Sequence, residues 1–467
     1  MAAKRRMSRR QFLWASAIGS AGVVAAACQP AAMPAAEMAD EGEGDAPAME
    51  AVEIRFSHWH GGFWDPIRDG ISEAHPDISA ISESTPWGEY STKLLTQMVG
   101  GVAPDVVMVG SVWQGEWFKV LLPLDDALEA AGVDNDKWDA DPWMQCGFEG
   151  KIYSLSQVYC PNWQVVVNRT LAEQEGIDLP IWGDDGPAAN YDEWRWDDLV
   201  ELLKATTKVN SDGEVEQWGL ANSTASFDNT ALYYLYSNGG QVLDDLWGYK
   251  ETEALVDSEE SVQALQAYID LTLVDKVAPT PSEAKAVQGG LFNSGKAFCT
   301  IRHPGVGDQR VNQEGFGLLF MPVPWREHRI QLMGSNSWGV WSGSENIDAA
   351  TTFSIWATTS ETISDWITPN INLTGYEMRR AIDKLPDPPE GWMRNFYEVF
   401  LSRDERFTRH PAAAENVEWR PRWYGRKAGF VRNALRREYD KVFLGEKSMQ
   451  QAMSDAKAEI DAELAAS

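Results

Sequence analysis

The sequence predicts an α/β fold built on a parallel sheet between layers of helices, and three observations carry that prediction. Val52-Glu53-Ile54-Arg55-Phe56 alternates with the period of two of a half-buried strand. Asp105-Val106-Val107-Met108-Val109 is the continuous apolar run of a strand buried on both faces. Between them, residues 91–99 have helical spacing and stop at Gly100-Gly101. Strand, helix and strand in that order make a βαβ unit, hence a three-layer sheet. Further on, Leu199, Leu202 and Leu203 mark one helix. Val262, Leu265, Ile269 and Leu273 mark another, with Asp257 and Glu260 at capping spacing before it. The last helix opens at Ser448, with Gln451 three residues on. It places Met449, Ala452, Met453, Ala456, Ile460 and Leu464 on one stripe. No internal repeat is visible.

Ahead of this pattern stands a segment with a different purpose. Lys4, Arg5, Arg6, Arg9 and Arg10 are followed by an apolar, small-residue run to Ala27, and then by Cys28. Ser8-Arg9-Arg10-Gln11-Phe12-Leu13 resembles a twin-arginine export signal, and Val24-Ala25-Ala26-Ala27-Cys28 a bacterial lipobox, with Ala25 where Leu is commoner. The apolar run is too short for a transmembrane helix, which needs about 20 residues. Residues 1–27 are therefore expected to be a signal peptide, with Cys28 the lipidated first residue of the mature chain. Residues 28–51, rich in Ala, Pro, Glu, Asp and Gly, are expected to be a tether, because they cannot bury enough surface to offset ordering.

Charge narrows the partners. Lys+Arg 40 against Asp+Glu 70 gives a net charge of -30, which repels a phosphate backbone and excludes nucleic acid as a natural partner. Loss of the five basic residues before Cys28 would leave 35 against 70, a charge of -35. The 22 tryptophans are several times ordinary usage and favour a protein that stacks flat rings on its ligand. Three cysteines remain after Cys28. Cys146 and Cys160 flank the hairpin-like residues 147–153 and could face each other, and an odd number leaves at least one without a disulfide. So few cysteines leave the fold to rest on its apolar core.

A series of short segments resembles, in order, the family 1 extracellular solute-binding proteins of bacterial ABC importers. It runs from Gly101-Val102-Ala103-Pro104-Asp105-Val106 through Trp117-Phe118 and Leu121-Leu122-Pro123-Leu124-Asp125 to Gly150-Lys151-Ile152-Tyr153 and Val166-Val167-Asn168. Asn238-Gly239-Gly240, residues 291–298, Gly317-Leu318 and Met321-Pro322 follow, before the terminal amphipathic helix. The resemblance implies a two-lobe periplasmic-binding-protein fold of type II-like topology, with the ligand cleft between lobes joined by two or three crossings of the chain. By analogy the N-terminal lobe would hold 52–144 and 322–343, and the C-terminal lobe 145–321 and 344–467. It further implies a monomer on the outer face of the cytoplasmic membrane or in the periplasm. Such a protein would capture a sugar or oligosaccharide and pass it to permease subunits, with no cofactor and no catalysis.

Ligands in open α/β sheets sit beyond the carboxyl ends of strands, which selects the loops to examine. Trp59 and Trp64 follow the first strand, Trp87 the second strand region, and Ser111 and Trp113 the third. In the second lobe the same reasoning selects Gln157, Tyr159, Asn162, Asn222, Gly240, Arg302 and His303. Gly239 and Gly240 are expected to serve a turn needing positive φ. Asn336 and Trp338 lie near the return crossing, and Trp423 lies in the late segment where related maltodextrin binders place a stacking aromatic. Trp59 and Trp338 are the leading platform candidates.

Three other chemistries compete. Residues 290–296 fit G-x-x-x-x-G-K, but Ala297 stands where a P-loop needs Ser or Thr and a strand follows. His58 and His60 alternate on one face but have no cysteine and no third ligand nearby, so no metal is expected. An exported glycoside hydrolase needs two positioned carboxylates, which seventy acidic residues neither specify nor deny; no G-x-S-x-G or H-E-x-x-H occurs. A binder of peptide, polyamine or metal complex would share the fold, and the acidic charge alone does not separate it from a sugar binder.

Overall fold

Parallel pairing of three strands organises the first part of the chain. The computed structural model describes residues 51–138, 146–161, 163–179, 182–183, 186–187, 194–245, 249–302, 315–367, 376–377, 383–384, 418–421, 423 and 425–466. The expected signal peptide, Cys28, Asn162 and His303 lie outside them, and so does the tether apart from Ala51. The strands of the two main sheets are β1 (Val52–His58), β2 (Ile78–Ser84), β3 (Val106–Gly110), β4 (Leu155–Pro161), β5 (Gln164–Asn168), β6 (Lys208–Val209), β7 (Val215–Leu220), β8 (Ala297–Arg302), β9 (Leu318–Pro322), β10 (Ile330–Val340) and β11 (Glu418–Pro421). The helices used below are α1 (Asp65–Ala74), α2 (Trp87–Val99), α3 (Trp196–Thr206), α4 (Asn229–Ser237), α5 (Glu259–Leu273), α6 (Ile347–Thr359), α7 (Ala428–Phe443) and α8 (Met449–Ala465).

The first sheet runs β11-β10-β3-β1-β2, with β4 also paired to β10. β1 is parallel to β2 and to β3, as the strand–helix–strand spacing requires. β10 returns antiparallel to β3 and β4. The second sheet runs β6-β7-β8-β5-β9, with β7 and β8 parallel and β5 antiparallel to both β8 and β9. Among the described residues the chain thus passes between sheets three times: from β4 to β5, from β9 to β10, and beyond β11 into α7. That helix belongs with the second sheet's layer, where Tyr439 donates its hydroxyl to the Thr224 carbonyl at 3.0 Å and Arg436 Nε donates to the Phe227 carbonyl at 3.0 Å.

Local sequence explains most elements. All of β3 is buried, as its unbroken apolar run predicts. Helix α2 starts four residues earlier than the periodicity indicated and buries Tyr90, Leu94 and Met98, one side of a 3.6-residue repeat. The six stripe residues of α8 are all buried, and Ser448 Oγ accepts the Gln451 N–H at 3.2 Å. At α5 the cap is Ser258, not Asp257. Ser258 directly precedes the helix in extended conformation, and its Oγ accepts the Ser261 N–H at 3.2 Å.

The expected lobe boundaries differ from the pairing in two places. β4 lies in 145–321 yet hydrogen-bonds to β10 in the first sheet. Helix α6 lies in 344–467 yet packs on the first sheet, with Phe353 and Phe56 ring centroids 5.0 Å apart. Both depend on contacts distant in sequence, which segment order does not encode. Cys146 is a buried thiol pushed up to about 12 by burial, with the Gln114 amide donating to its sulfur at 3.8 Å. The side chain of Cys160 lies outside the described ones, so the pairing suggested for these two cysteines is not tested.

Candidate functional site

The loops that leave β1, β2 and β3 converge at one edge of the first sheet, and Gly110 allows them to close up. A Cβ at this position would meet the Trp87 ring at 3.2 Å and the Trp113 ring at 3.3 Å, so glycine admits two indoles against the strand end. Trp87 and Trp113 centroids are 4.4 Å apart, and Trp113 stacks in turn on Trp117 at 5.5 Å with the planes 12° apart. Trp59 meets Trp87 edge-on at 4.8 Å. Beneath them the Tyr90 hydroxyl donates to the Ser57 carbonyl at 2.8 Å and accepts the Met108 N–H at 3.0 Å, tying β1 to β3.

Above this aromatic layer lies a cavity of about 300 Å³ lined by Trp59, His60, Trp87, Ser111, Val112, Trp163, Asn229, Asn336, Trp423 and Arg432. The first four, with Val112 and Asn336, come from the first sheet and its loops. Trp163 sits in the β4–β5 crossing and Trp423 just beyond β11, while Asn229 opens α4 and Arg432 lies on α7. The cavity therefore lies between the two lobes, at the carboxyl ends of the parallel strands.

Its polar groups are held in fixed senses. Trp64 Nε1 donates to His60 Nδ1 at 3.0 Å, so the neutral ring carries its proton on Nε2. Burial, with His58 close by, lowers the His60 pKa to about 4, and burial lowers His58 equally. His58 is engaged elsewhere: its Nε2 is 2.8 Å from Ser82 Oγ and its Nδ1 accepts the His60 N–H at 3.3 Å. Trp163 Nε1 donates to Thr230 Oγ1 at 3.0 Å and Trp423 Nε1 to Asn229 Oδ1 at 2.8 Å. Both indoles thus have their N–H groups occupied while their rings line the cavity. The Arg432 guanidinium lies 6.0 Å from the Trp423 ring centroid. Burial, and Arg436 beside it, lower its pKa to about 10.

Of the residues selected from sequence, Trp59, Trp87, Ser111, Asn336 and Trp423 line this cavity. Trp113 is one layer behind, packed against Trp87 with the planes 31° apart. Trp338, expected as a platform, is fully buried among Phe56, Trp64 and Phe353, with its Nε1 donating to Gln157 Oε1 at 3.1 Å. Trp64 and Gln157 belong to that same core. The side chain of Tyr159 lies outside the described ones. Asn222 is a bracket between β7 and β8: its Oδ1 accepts the Ile301 N–H at 2.8 Å and its Nδ2 donates to the Ile301 carbonyl at 2.9 Å. Gly239 has the expected positive φ of 87°. Gly240 does not; a Cβ there would lie 2.9 Å from Ser261 Cα, so close packing on α5 fixes it. Arg302 ends β8 and is not in the cavity wall. His60, Val112, Trp163, Asn229 and Arg432 were not anticipated. His60 lies in the loop after the first strand that topology selects, but no local signal singles it out, and nothing in the sequence near Arg432 marks it as a cavity group.

Comparison with known proteins is consistent with this geometry. Solved structures with the same fold include an ABC substrate-binding protein from Listeria monocytogenes in complex with cycloalternan, at TM-score 0.73 and 19% identity, covering 89% of this chain and 100% of that one. The GacH receptor of Streptomyces glaucescens, solved unliganded and with acarbose, gives TM-score 0.67 at 19% identity over 89% and 99% of the two chains. The maltose/maltodextrin-binding domain MalE of Bdellovibrio bacteriovorus, bound to maltotriose, gives 0.66 at 18% identity over 89% and 100%. Curated relatives described only as binding proteins, from Brucella abortus and Brucella suis, are 23% identical over 285 residues. The match spans 59% of this chain and 62% of the length of those relatives. The family model described as bacterial extracellular solute-binding protein matches residues 59–363, and this chain, with its two sheets and the cavity between them, belongs to that family.

Proposed function

We propose that this protein captures a carbohydrate outside the cytoplasm and delivers it to the permease of an ABC importer, without chemical change to the ligand. The observation that carries the reading is the interlobe cavity, whose wall presents four indoles, two from loops of the first sheet and two from the crossings between the sheets. The apolar C–H face of a pyranose packs on such rings while its hydroxyls meet Ser111, Asn229 and Asn336 at the rim. The structural neighbours hold cycloalternan, acarbose and maltotriose, and family membership supports a role in solute capture. On this reading the first lobe comprises β1 to β4 with β10, β11 and α6, and the second comprises β5 to β9 with α3, α4, α5, α7 and α8. Residues 1–27 direct twin-arginine export, Cys28 carries the lipid, and residues 28–51 hold the domain off the membrane as a monomer.

A ligand at 100 times its Kd stabilises a protein by about 2.7 kcal/mol, so a thermal-shift screen over mono- and oligosaccharides is the direct test. The expected result is a rise in melting temperature with a narrow group of sugars and unchanged sugars on chromatography afterwards. Sustained turnover of an oligosaccharide would overturn the reading in favour of a hydrolase, and a shift only with peptides or polyamines would move it to another solute.

A further inference from the structure

We infer that the solute carries a carboxylate, as in a uronic or aldonic sugar acid, and that Arg432 holds it with Asn229 as its neutral N–H partner. This rests on the carbohydrate-capturing reading and narrows the ligand class of the same cavity. Arg432 lines the wall, its Nε is buried without a hydrogen-bond partner, and it makes no ion pair or hydrogen bond with any described residue. A half-buried guanidinium left in this condition is costly unless something completes it. Its neighbour Arg436 adds like charge; Asp228, whose charge acts favourably on Arg432, makes no ion pair with it and turns Oδ1 to the Thr230 and Ala231 N–H groups at 2.8 and 3.0 Å.

The neutral groups around it point the same way. Asn229 Oδ1 accepts the Trp423 Nε1–H, which fixes the sense of the amide and leaves its N–H pair open. Trp423 has the Arg432 guanidinium over its ring at 6.0 Å and Asn229 on its N–H, so the guanidinium and the amide neighbour one indole. On the opposite wall His60 Nδ1 is consumed by Trp64, which leaves Nε2–H. Among the described residues the cavity wall has one cation, the N–H groups of Asn229 and His60, the Ser111 hydroxyl and the Asn336 amide, and no Asp or Glu. Sugar hydroxyls need acceptors as well as donors, whereas a carboxylate is acceptor-only and takes a guanidinium in bidentate geometry. One guanidinium matches one negative charge.

The test is calorimetric titration of the full chain with glucuronate, galacturonate and their 1,4-linked dimers and trimers, beside glucose, galactose, cellobiose and maltotriose. The acid of a matched pair is expected to bind at least tenfold tighter than its neutral counterpart. Arg432→Gln should erase that preference while leaving the ligand-free melting temperature unchanged or raised, because an uncompensated charge has been removed. Asn229→Asp keeps the acceptor for Trp423 and adds a negative charge, so it should weaken the acid by at least tenfold more than it weakens the matched neutral sugar; it serves also if the arginine variant does not fold. Equal or tighter binding of the neutral sugars, or an unchanged acid Kd in both variants, overturns the inference and leaves the carbohydrate reading standing. Tighter binding of glucose 6-phosphate than of glucuronate overturns the carboxylate, and binding of no carbohydrate of either kind overturns both.

Discussion

Tryptophan enrichment hides two physical roles that only depth in the structure separates. Trp87 is 41% exposed and lines the cavity, whereas Trp338 is fully buried although only two residues from Asn336, a cavity residue. Asn336 pairs with Gly110, the last residue of β3, and Trp338 with Met108, one step into the sheet where α6 covers it. Trp87→Ala should therefore weaken binding of the cognate sugar by about 1 to 3 kcal/mol, the scale of one aromatic contact, with little change in the ligand-free protein. Trp338→Ala should cost about 3 to 5 kcal/mol of folding stability and leave Gln157 Oε1 without its donor. Titration calorimetry beside urea unfolding of the ligand-free variants separates the two, and the reverse pattern would exchange their roles. Strand-end position in sequence selects Trp59, Trp87 and Ser111, and nearness to the return crossing selects Asn336 together with Trp338. It could not rank Trp338 against Asn336, since burial there comes from a helix later in the chain.

Elements were legible where their determinants are local. The β1–α2–β3 run, the α8 stripe and the Ser448 cap follow from periodicity and capping chemistry within a few residues. The placement of β4 and α6 was not legible, because both are decided by partners more than a hundred residues away in sequence or by a sheet face already built. Arg432 escaped for the same reason: one helical arginine among many becomes a cavity group only when α7 docks beside α4. Gly240 shows how such contacts constrain sequence. With Ser261 Cα 2.9 Å and the Leu235 carbonyl 3.0 Å from where a Cβ would stand, neither backbone can yield cheaply. Gly240→Ala should then lower stability by about 1 to 3 kcal/mol through overpacking between α4 and α5, with affinity preserved. Urea midpoints and a sugar titration check this. Lost affinity at unchanged stability would return Gly240 to the binding site, where sequence reasoning had placed it.

At the scale of the whole molecule, the charge of -30 and the single cation of the described cavity wall act over different distances. An acidic sugar approaching the protein meets repulsion from the summed surface charge, which at low salt reaches about 30 Å and at 0.1 M about 10 Å. Inside the cavity, pairing with Arg432 is shielded from solvent ions by the surrounding indoles and is screened far less. Raising ionic strength should therefore speed association of a uronate, by removing the barrier to encounter, while its dissociation rate changes little. A neutral sugar of the same size should associate at a rate independent of salt. Stopped-flow tryptophan fluorescence at 10 mM and 500 mM NaCl reads both rates on the unmodified protein. If uronate association instead slows with salt, the cleft's own positive field governs encounter and the surface charge lies too far from its mouth to matter. If both sugars are insensitive, the negative charge is distributed evenly enough to cancel along the approach, and the recognition of charge is confined to contact.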